Sequence, residues 1–208
     1  MGASKYTLIE KVMPHYKGGI VLEIGMERGE GSTTFFNGFC KKNNLEFYSV
    51  DFDPNLRCSI RHLDWVIPVS TTGEDFLLNE FKEENKKIFF AYLDNFDYIF
   101  EHIRRHQQII DQQNRYREHG LDMDENNHNS HKAHLLQTVL IDVDFAAESC
   151  FFLFDDTWRQ DEKWFGKGAL AVPYLLSKGY QIIEKAPDNG LYYEGFVLLG
   201  RGGLNATN

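Results

Sequence analysis

One segment constrains this chain more than any other: an apolar run that ends near an acid and opens into a glycine-rich turn. Residues 20–33 read Ile-Val-Leu-Glu-Ile-Gly-Met-Glu-Arg-Gly-Glu-Gly-Ser-Thr. The β-branched residues of the run are typical of a buried parallel strand. Three glycines, Gly25, Gly29 and Gly31, let the backbone turn sharply and approach a ligand. A helix is predicted from about residue 31, with its N-terminal amides facing the turn. The segment therefore predicts a ligand site, with a tight β–α connection that binds nothing as the alternative.

The acid Glu23, two positions before the first glycine, indicates which ligand suits this turn. A carboxylate at the floor of the turn repels the pyrophosphate of a dinucleotide but attracts a cation. S-adenosylmethionine, with its sulfonium and ammonium groups, is such a cation. The segment resembles the first motif of the class I S-adenosylmethionine-dependent methyltransferases, nearest the Glu-x-Gly-x-x-x-Gly variant of the catechol O-methyltransferase-like and macrocin-type enzymes. It departs from Gly-x-Gly-x-Gly at Met26 and Glu27, so which loop amide contacts the cofactor stays open.

Strand and helix patterns alternate along the chain, which predicts an α/β fold with a doubly wound, mostly parallel sheet. Strands are predicted at residues 20–24, 46–50, 65–69, 87–93 and 150–154. Helices are predicted near residues 6–16, 31–43, 55–62, 74–85, 98–118, 131–148 and 165–178. The polar residues 119–131 are predicted to form a loop or mobile lid, with Ser130 as a candidate helix N-cap. A length of 208 residues predicts a single domain over residues 1–208.

The C-terminal segment departs from this alternation. Asn189-Gly190 lies between the apolar runs 180–186 and 191–201, and Asn-Gly in such a position is a strong β-hairpin signal. A nucleotide-binding dehydrogenase half more often ends in another crossover. Class I methyltransferases close on an antiparallel hairpin, so the resemblance implies a Rossmann-like sheet of seven strands whose last strand is antiparallel.

Charge and composition limit the expected partners and location. A net charge of −9 argues against a nucleic-acid surface, which needs a basic field. No run in the sequence approaches the roughly 18 apolar residues of a membrane span, and residues 1–6 contain no apolar signal segment. The three cysteines, Cys40, Cys58 and Cys150, form no C-x-x-C pair. Reduced thiols in a cytoplasmic protein are the simplest interpretation.

Doubly wound sheets bind ligands at the carboxyl ends of their strands, so the residues that follow each strand are candidate site residues. Asp51 follows the second strand, where a carboxylate can accept both ribose hydroxyl protons. Its alternative role is to cap the next helix, for which Asp53 is better placed. The residues after the third strand, Thr72, Gly73 and Glu74, resemble the adenine-contacting segment of the family, with a simple capping turn as the alternative.

Three carboxylates follow two strands that are expected to be neighbours: Asp94 after the fourth strand, and Asp155 and Asp156 after the fifth. Unpaired, they would repel one another and raise each other's pKa, and a hard divalent cation such as Mg²⁺ or Mn²⁺ would relieve this. The catechol O-methyltransferase-like branch holds a divalent metal with aspartates at these positions, so the resemblance implies these three ligands. Metal binding has three alternatives. A carboxylate forms a salt bridge to Lys163 or Lys167, Asp155 or Asp156 caps the next turn, or Asp94 forms a hydrogen bond with the cofactor.

Two further positions concern the acceptor side. Asp97 occupies the position at which the catechol branch has its lysine base, so it is the candidate catalytic residue. Because an aspartate replaces the lysine, the catechol-type mechanism does not carry over as a whole. Beyond the fifth strand, Trp158 and Trp164 either wall an acceptor pocket or pack beneath Tyr192 and Tyr193.

The sequence thus predicts an S-adenosylmethionine-dependent methyltransferase that acts on an oxygen of a small-molecule acceptor, with metal assistance as an open question. The expected cofactor-binding residues are Glu23, Gly25, Glu27, Gly31, Ser32, Asp51, Thr72, Glu74 and Asp94. One alternative is a nicotinamide-dependent oxidoreductase, against which Glu23 and the terminal hairpin argue. Another is a non-catalytic binding protein of the same fold. A small-molecule acceptor is the expected partner, and a homo-oligomer is left open.

Overall fold

The structure is a computed structural model and describes residues 5–26, 31–55, 59–95, 107–118, 120, 126–188 and 195–202. Its strands are β1 (Ile20–Ile24), β2 (Phe47–Asp51), β3 (Ile67–Ser70), β4 (Ile88–Leu93), β5 (Ala146–Asp155), β6 (Thr157–Gln160), β7 (Lys163–Gly166), β8 (Gln181–Lys185) and β9 (Phe196–Arg201). Its helices are α1 (Ile9–Val12), α2 (Ser32–Asn43), α3 (Gly73–Asp75), α4 (Gln107–Glu118), α5 (Asn126–Leu140) and α6 (Ala171–Ser177). A π turn, Ile141–Phe145, continues α5.

Seven of these strands form one sheet in the order β3-β2-β1-β4-β5-β9-β8. The pairs from β3 to β5 are all parallel, whereas β9 runs antiparallel to both β5 and β8. The predicted Rossmann-like, doubly wound, seven-stranded, mostly parallel sheet with an antiparallel C-terminal hairpin strand is confirmed. The Asn189-Gly190 turn that indicated the hairpin lies outside the described residues.

The apolar core lies in two layers, one on each face of the sheet. Alternate residues of β1 divide between them: Leu22 faces the layer that contains α3 and α6, and Val21 faces the layer that contains α1 and α2. Strands β4 and β5 add five fully buried phenylalanine rings, Phe89, Phe90, Phe151, Phe152 and Phe154. Each such ring contributes about 1.5–3 kcal/mol by leaving water. The centre of the sheet, which positions the strand ends discussed below, is therefore its most apolar part.

Helix α5 begins and ends earlier than its sequence pattern predicts. It begins at Asn126, so the predicted loop over 119–131 is helical from that residue, and the prediction of Ser130 as its N-cap is wrong. Ser130 and His134 are both fully buried, and the His134 ring lies 2.7 Å from the Ser130 carbonyl oxygen. Polar residues on this helix face thus point inward, which a polar sequence does not reveal. At the other end, β5 begins at Ala146, where a helix was predicted.

The sequence analysis missed a small hairpin, β6–β7, that follows β5 directly. It pairs Trp158 with Phe165 across its strands, and the two rings stack at 6.0 Å between centroids. Its two turn residues, Asp161 (φ 47°) and Glu162 (φ 66°), both have positive φ, as in a type I′ turn. Asp-Glu lacks the glycine that marks such turns, which explains why the pattern gave no hairpin signal. None of the helices that the structure describes is long and apolar enough to cross a membrane.

Candidate functional site

The carboxyl end of β1 lies between those of β2 and β4, because β1 pairs in parallel with both. Gly25 follows β1 with a φ of 104°. A Cβ on Gly25 would lie 2.6 Å from the backbone of Asp94 and Asn95. Glycine is therefore required by the positive φ and also by the close approach of the chain that leaves β4. This brings the Asp94 segment against the glycine turn that the sequence singled out.

The carboxyl ends of β1, β2 and β4, together with the residues that follow them, are called the rim below. Glu23 is fully buried at the floor of this rim. Its Oε2 accepts hydrogen bonds from Thr33 Oγ1 (2.8 Å) and Ser49 Oγ (2.5 Å). Among the described residues, no group donates a hydrogen bond to Glu23 Oε1. Because buried polar atoms in folded proteins are nearly always paired, this free oxygen marks a place for a cation, a donor or water.

The protonation of Glu23 follows from its burial. Burial raises the pKa of Glu23 to about 7, against the lowering effect of the neighbouring hydroxyl groups of Ser49, Ser32 and Thr33, and the nearby Asp94 carboxylate raises it further. A positive charge next to Oε1 would favour the ionised form. The geometry therefore suits the cationic ligand that the sequence indicates.

Asp51, at the end of β2, holds the two turns that flank it. Its Oδ2 accepts a hydrogen bond from Met26 N (2.9 Å), and its Oδ1 accepts one from Asp53 N (3.0 Å). The carboxylate is half-buried. Asp51 thus ties the glycine turn to the end of β2.

After β3, the structure shows the capping turn that was the alternative to adenine contact. Thr72 Oγ1 accepts a hydrogen bond from Asp75 N (3.2 Å) and so caps α3. Gly73 is buried, and a Cβ there would lie 2.6 Å from Ile24 Cγ2 and 2.8 Å from Gln137 Nε2. The segment is therefore packed against the end of β1, with Glu74 half-buried beside it.

The remaining candidates of the glycine turn are described only in part. Gly31 (φ 57°) immediately precedes α2, and Ser32 is the first residue of that helix. The Ser32 hydroxyl helps to lower the pKa of Glu23, so the N-terminus of α2 lies near this carboxylate. Glu27, Gly29 and the candidate base Asp97 lie outside the described residues.

The three predicted metal ligands converge. Oxygen atoms of Asp94, Asp155 and Asp156 all lie within 4.8 Å of one another. The Tyr92 hydroxyl donates to Asp155 Oδ2 (2.6 Å) and lies 3.1 Å from Asp94 Oδ2. Burial, followed by the neighbouring carboxylates Asp94 and Glu23, raises the pKa of Tyr92, so its hydroxyl remains a donor. The strand order thus assembles the acidic cluster as the sequence predicts.

Two lysines already form ion pairs with this cluster. Lys167 is 3% exposed, and its Nζ lies 2.5 Å from Asp94 Oδ1 and 3.2 Å from Asp156 Oδ2. Lys5 pairs with Asp155 Oδ1. A divalent ion needs direct oxygen ligands at 2.0–2.6 Å, and these carboxylates direct oxygens at ammonium groups instead. The described residues therefore do not fit a metal, and the salt bridge to Lys167, the alternative to metal binding, is what the structure contains.

Sequence reasoning missed several residues of this rim. Lys167 was named only as one of two alternative salt-bridge partners, and Lys5, Tyr92 and two buried polar residues of α5, His134 and Gln137, were not assigned a role. Burial and the Lys167 ammonium lower the pKa of His134 to about 3, so its ring is neutral. Lys167 lies between two glycines, which is the one local signal that this lysine occupies a special backbone position.

Comparisons with known proteins found similar solved structures. No protein-family model matches the sequence, and no curated protein matches it. A Listeria monocytogenes protein described as a class I S-adenosylmethionine-dependent methyltransferase matches with a TM-score of 0.52 at 14% identity, over 96% of this chain. Aeropyrum pernix fibrillarin with bound S-adenosyl-L-methionine matches with a TM-score of 0.48 at 10% identity, over 94% of this chain and 72% of its own. An Archaeoglobus fulgidus S-adenosylmethionine-dependent methyltransferase matches at 0.46 and 13% identity, over 95% and 92%.

The similarity to the Listeria protein concerns the fold. The chain spans 58% of the length of that protein. Together with the strand order, the match assigns the chain to the Rossmann-like fold that class I methyltransferases use. It does not single out the catechol O-methyltransferase-like or macrocin-type branch.

Proposed function

We propose that this protein is an S-adenosylmethionine-dependent methyltransferase. The observation that carries the proposal is Glu23, a fully buried carboxylate with one unpaired oxygen at the switch in strand order. Ligands of doubly wound sheets bind at this point. A buried acid with an open acceptor suits the ammonium and sulfonium charges of the methyl donor and opposes the pyrophosphate of a nicotinamide dinucleotide.

The cofactor would lie along the rim from the glycine turn to the end of β3. The proposed cofactor-binding residues are Glu23, Gly25, Glu27, Gly31, Ser32, Asp51, Thr72, Glu74 and Asp94. Asp51, a half-buried carboxylate at the end of β2, would accept hydrogen bonds from the ribose hydroxyls. Thr72 would contribute mainly by holding its turn, since its hydroxyl caps α3.

The acceptor is proposed to be an oxygen of a small molecule. In methyl transfer, the acceptor oxygen bonds to the methyl carbon as the carbon–sulfur bond breaks, and the hydroxyl proton passes to a base. The chain mainly aligns the two reactants, and Asp97 is the proposed base. A net charge of −9 disfavours a nucleic-acid acceptor. Metal assistance, as in the catechol branch, forms no part of this proposal, because Lys167 and Lys5 already engage the three carboxylates.

Calorimetric titration with S-adenosylhomocysteine, S-adenosylmethionine and NAD tests the cofactor. The wild-type protein is expected to bind the first two and not NAD. The Asp51→Ala variant is expected to bind S-adenosylhomocysteine more weakly by roughly 1–3 kcal/mol, about 5- to 150-fold, because charge-assisted hydrogen bonds are lost. Asp64→Ala, at an exposed residue paired with Lys41, is the matched control and should bind as the wild type does.

Two outcomes would contradict this proposal. Absence of S-adenosylhomocysteine binding to the wild type at millimolar ligand would refute a methyl-donor site. Binding of NAD in its place would favour the oxidoreductase. If the cofactor binds and no methyl transfer to any hydroxyl acceptor is found, the non-catalytic alternative gains support.

A further inference from the structure

The strongest unassigned feature is the buried ammonium group of Lys167. Among the described residues, it donates hydrogen bonds to Asp94 Oδ1 (2.5 Å) and to the Asp94 carbonyl oxygen (3.1 Å). It also forms an ion pair with Asp156 Oδ2 (3.2 Å). With 3% exposure, Lys167 has given up its hydration for these contacts. A lysine is rarely so fully buried unless it is paired.

Backbone contacts on both sides of Lys167 hold its ammonium group beside Asp94 and Asp156. Gly166 ends β7 with a φ of 78°, and a Cβ on it would lie 1.7 Å from the Asp156 carbonyl oxygen. Lys167 N donates to that same carbonyl oxygen (3.1 Å), and Gly168 N donates to Thr157 Oγ1 (2.9 Å). The β6–β7 hairpin thus leaves the end of β5 and returns directly to it. This return of the chain places Lys167 beside Asp94 and Asp156.

Both oxygens of Asp155, the third carboxylate of the cluster, also have partners. Asp155 Oδ1 pairs with Lys5 and accepts Asp156 N (2.6 Å), while Oδ2 accepts the Tyr92 hydroxyl (2.6 Å). Each of the three carboxylates therefore has a cationic partner within the chain. A divalent ion would have to displace the Lys167 ammonium from Asp94 and Asp156 to gain its ligands.

We propose that Lys167 is a positioning residue, and that its ammonium group occupies the place beside Asp94 and Asp156 that a divalent metal would otherwise take. It forms ion pairs with both Asp94 and Asp156 and holds both strand ends at the site, so the protein binds no divalent ion there. Where the proposed methyltransferase function holds, on which this last point rests, methyl transfer proceeds in excess chelator.

Mn²⁺ binding to the full chain tests the proposal without any cofactor, so its result is independent of whether S-adenosylhomocysteine binds. Titration followed by electron paramagnetic resonance is expected to find no stoichiometric site in the wild type. Lys167→Met removes the ammonium and keeps the side-chain length, and it is expected to gain a stoichiometric Mn²⁺ site at least about 10-fold tighter than any binding to the wild type. Adding Asp155→Asn to that variant should remove the gain.

Two matched variants complete the test. Lys167→Arg keeps the charge and should bind no Mn²⁺, and Lys163→Met, at an exposed lysine of the same hairpin, should behave as the wild type. A stoichiometric wild-type Mn²⁺ site that Asp155→Asn abolishes would overturn the proposal, and so would a folded Lys167→Met variant that gains no site. If Lys167→Met does not fold, the Mn²⁺ titrations of the wild type and of Lys167→Arg test the proposal, and a stoichiometric site in either protein would overturn it.

Discussion

Replacement of Asp142 by alanine is expected to lower the free energy of unfolding by about 3 kcal/mol. The side chain of Asp142 is 6% exposed and accepts hydrogen bonds from Tyr174 OH (3.0 Å), Tyr180 OH (2.9 Å) and Arg201 Nη1 (2.6 Å). Alanine leaves the partly buried Arg201 cation and two hydroxyl groups without this acceptor. We expect the low end of the range for a broken buried ion pair, because the Arg201 side chain is 34% exposed.

Urea denaturation of the wild type and of Asp142→Ala measures this loss. Asp144→Ala is the matched control, since Asp144 is an exposed aspartate of the same π turn, and it should cost less than about 0.5 kcal/mol. An equal effect of the two variants would show that the network around Asp142 does not hold β9 to the helical layer.

The pH dependence of stability is expected to carry the signature of Glu23. Its pKa is about 7 in the folded protein and 4.5 as an exposed group, so the folded state keeps this proton to higher pH than the unfolded state does. The stabilisation is fully present below pH 4.5 and is lost as the pH rises through 7. Across this window, Glu23 is expected to lower the free energy of unfolding by about 3 kcal/mol.

The difference between the wild-type and Glu23→Gln unfolding curves, measured from pH 4.5 to 8, isolates this contribution. Glutamine cannot ionise, so the variant is expected to lack this part of the slope. Glu10→Gln, at an exposed residue of α1, should keep the wild-type slope. Parallel curves for wild type and Glu23→Gln would mean that Glu23 titrates as an ordinary exposed acid and would weaken the case for a cation site.

Much of the fold could be predicted because its signals are local. The β1 run was located at Ile20–Ile24, and Asp51, Asp94 and Asp155 each lie at or directly after the end of a strand, as the patterns indicated. Apolar runs of strand length, with polar residues at their ends, report burial directly. The order of these motifs also predicted the antiparallel β9.

Other features were misjudged because their signals are not local. The polar N-terminal half of α5 looked like a loop, yet Ser130 and His134 are buried against the strand ends. The β6–β7 hairpin has no glycine in its turn, so its positive φ angles at Asp161 and Glu162 were not anticipated. In both cases the surroundings, more than the intrinsic preference of the residues, select the conformation.

The sequence by itself determined the sheet, its terminal hairpin and the convergence of Asp94, Asp155 and Asp156, because strand ends in a parallel sheet meet at one edge. Only the tertiary structure decided which cationic side chains pair with these carboxylates. Lys167 lies 73 residues from Asp94 along the chain, and Lys5 lies 150 residues from Asp155. A carboxylate's partner depends on which groups the completed fold brings within a few ångströms, and spacing along the chain does not encode that distance.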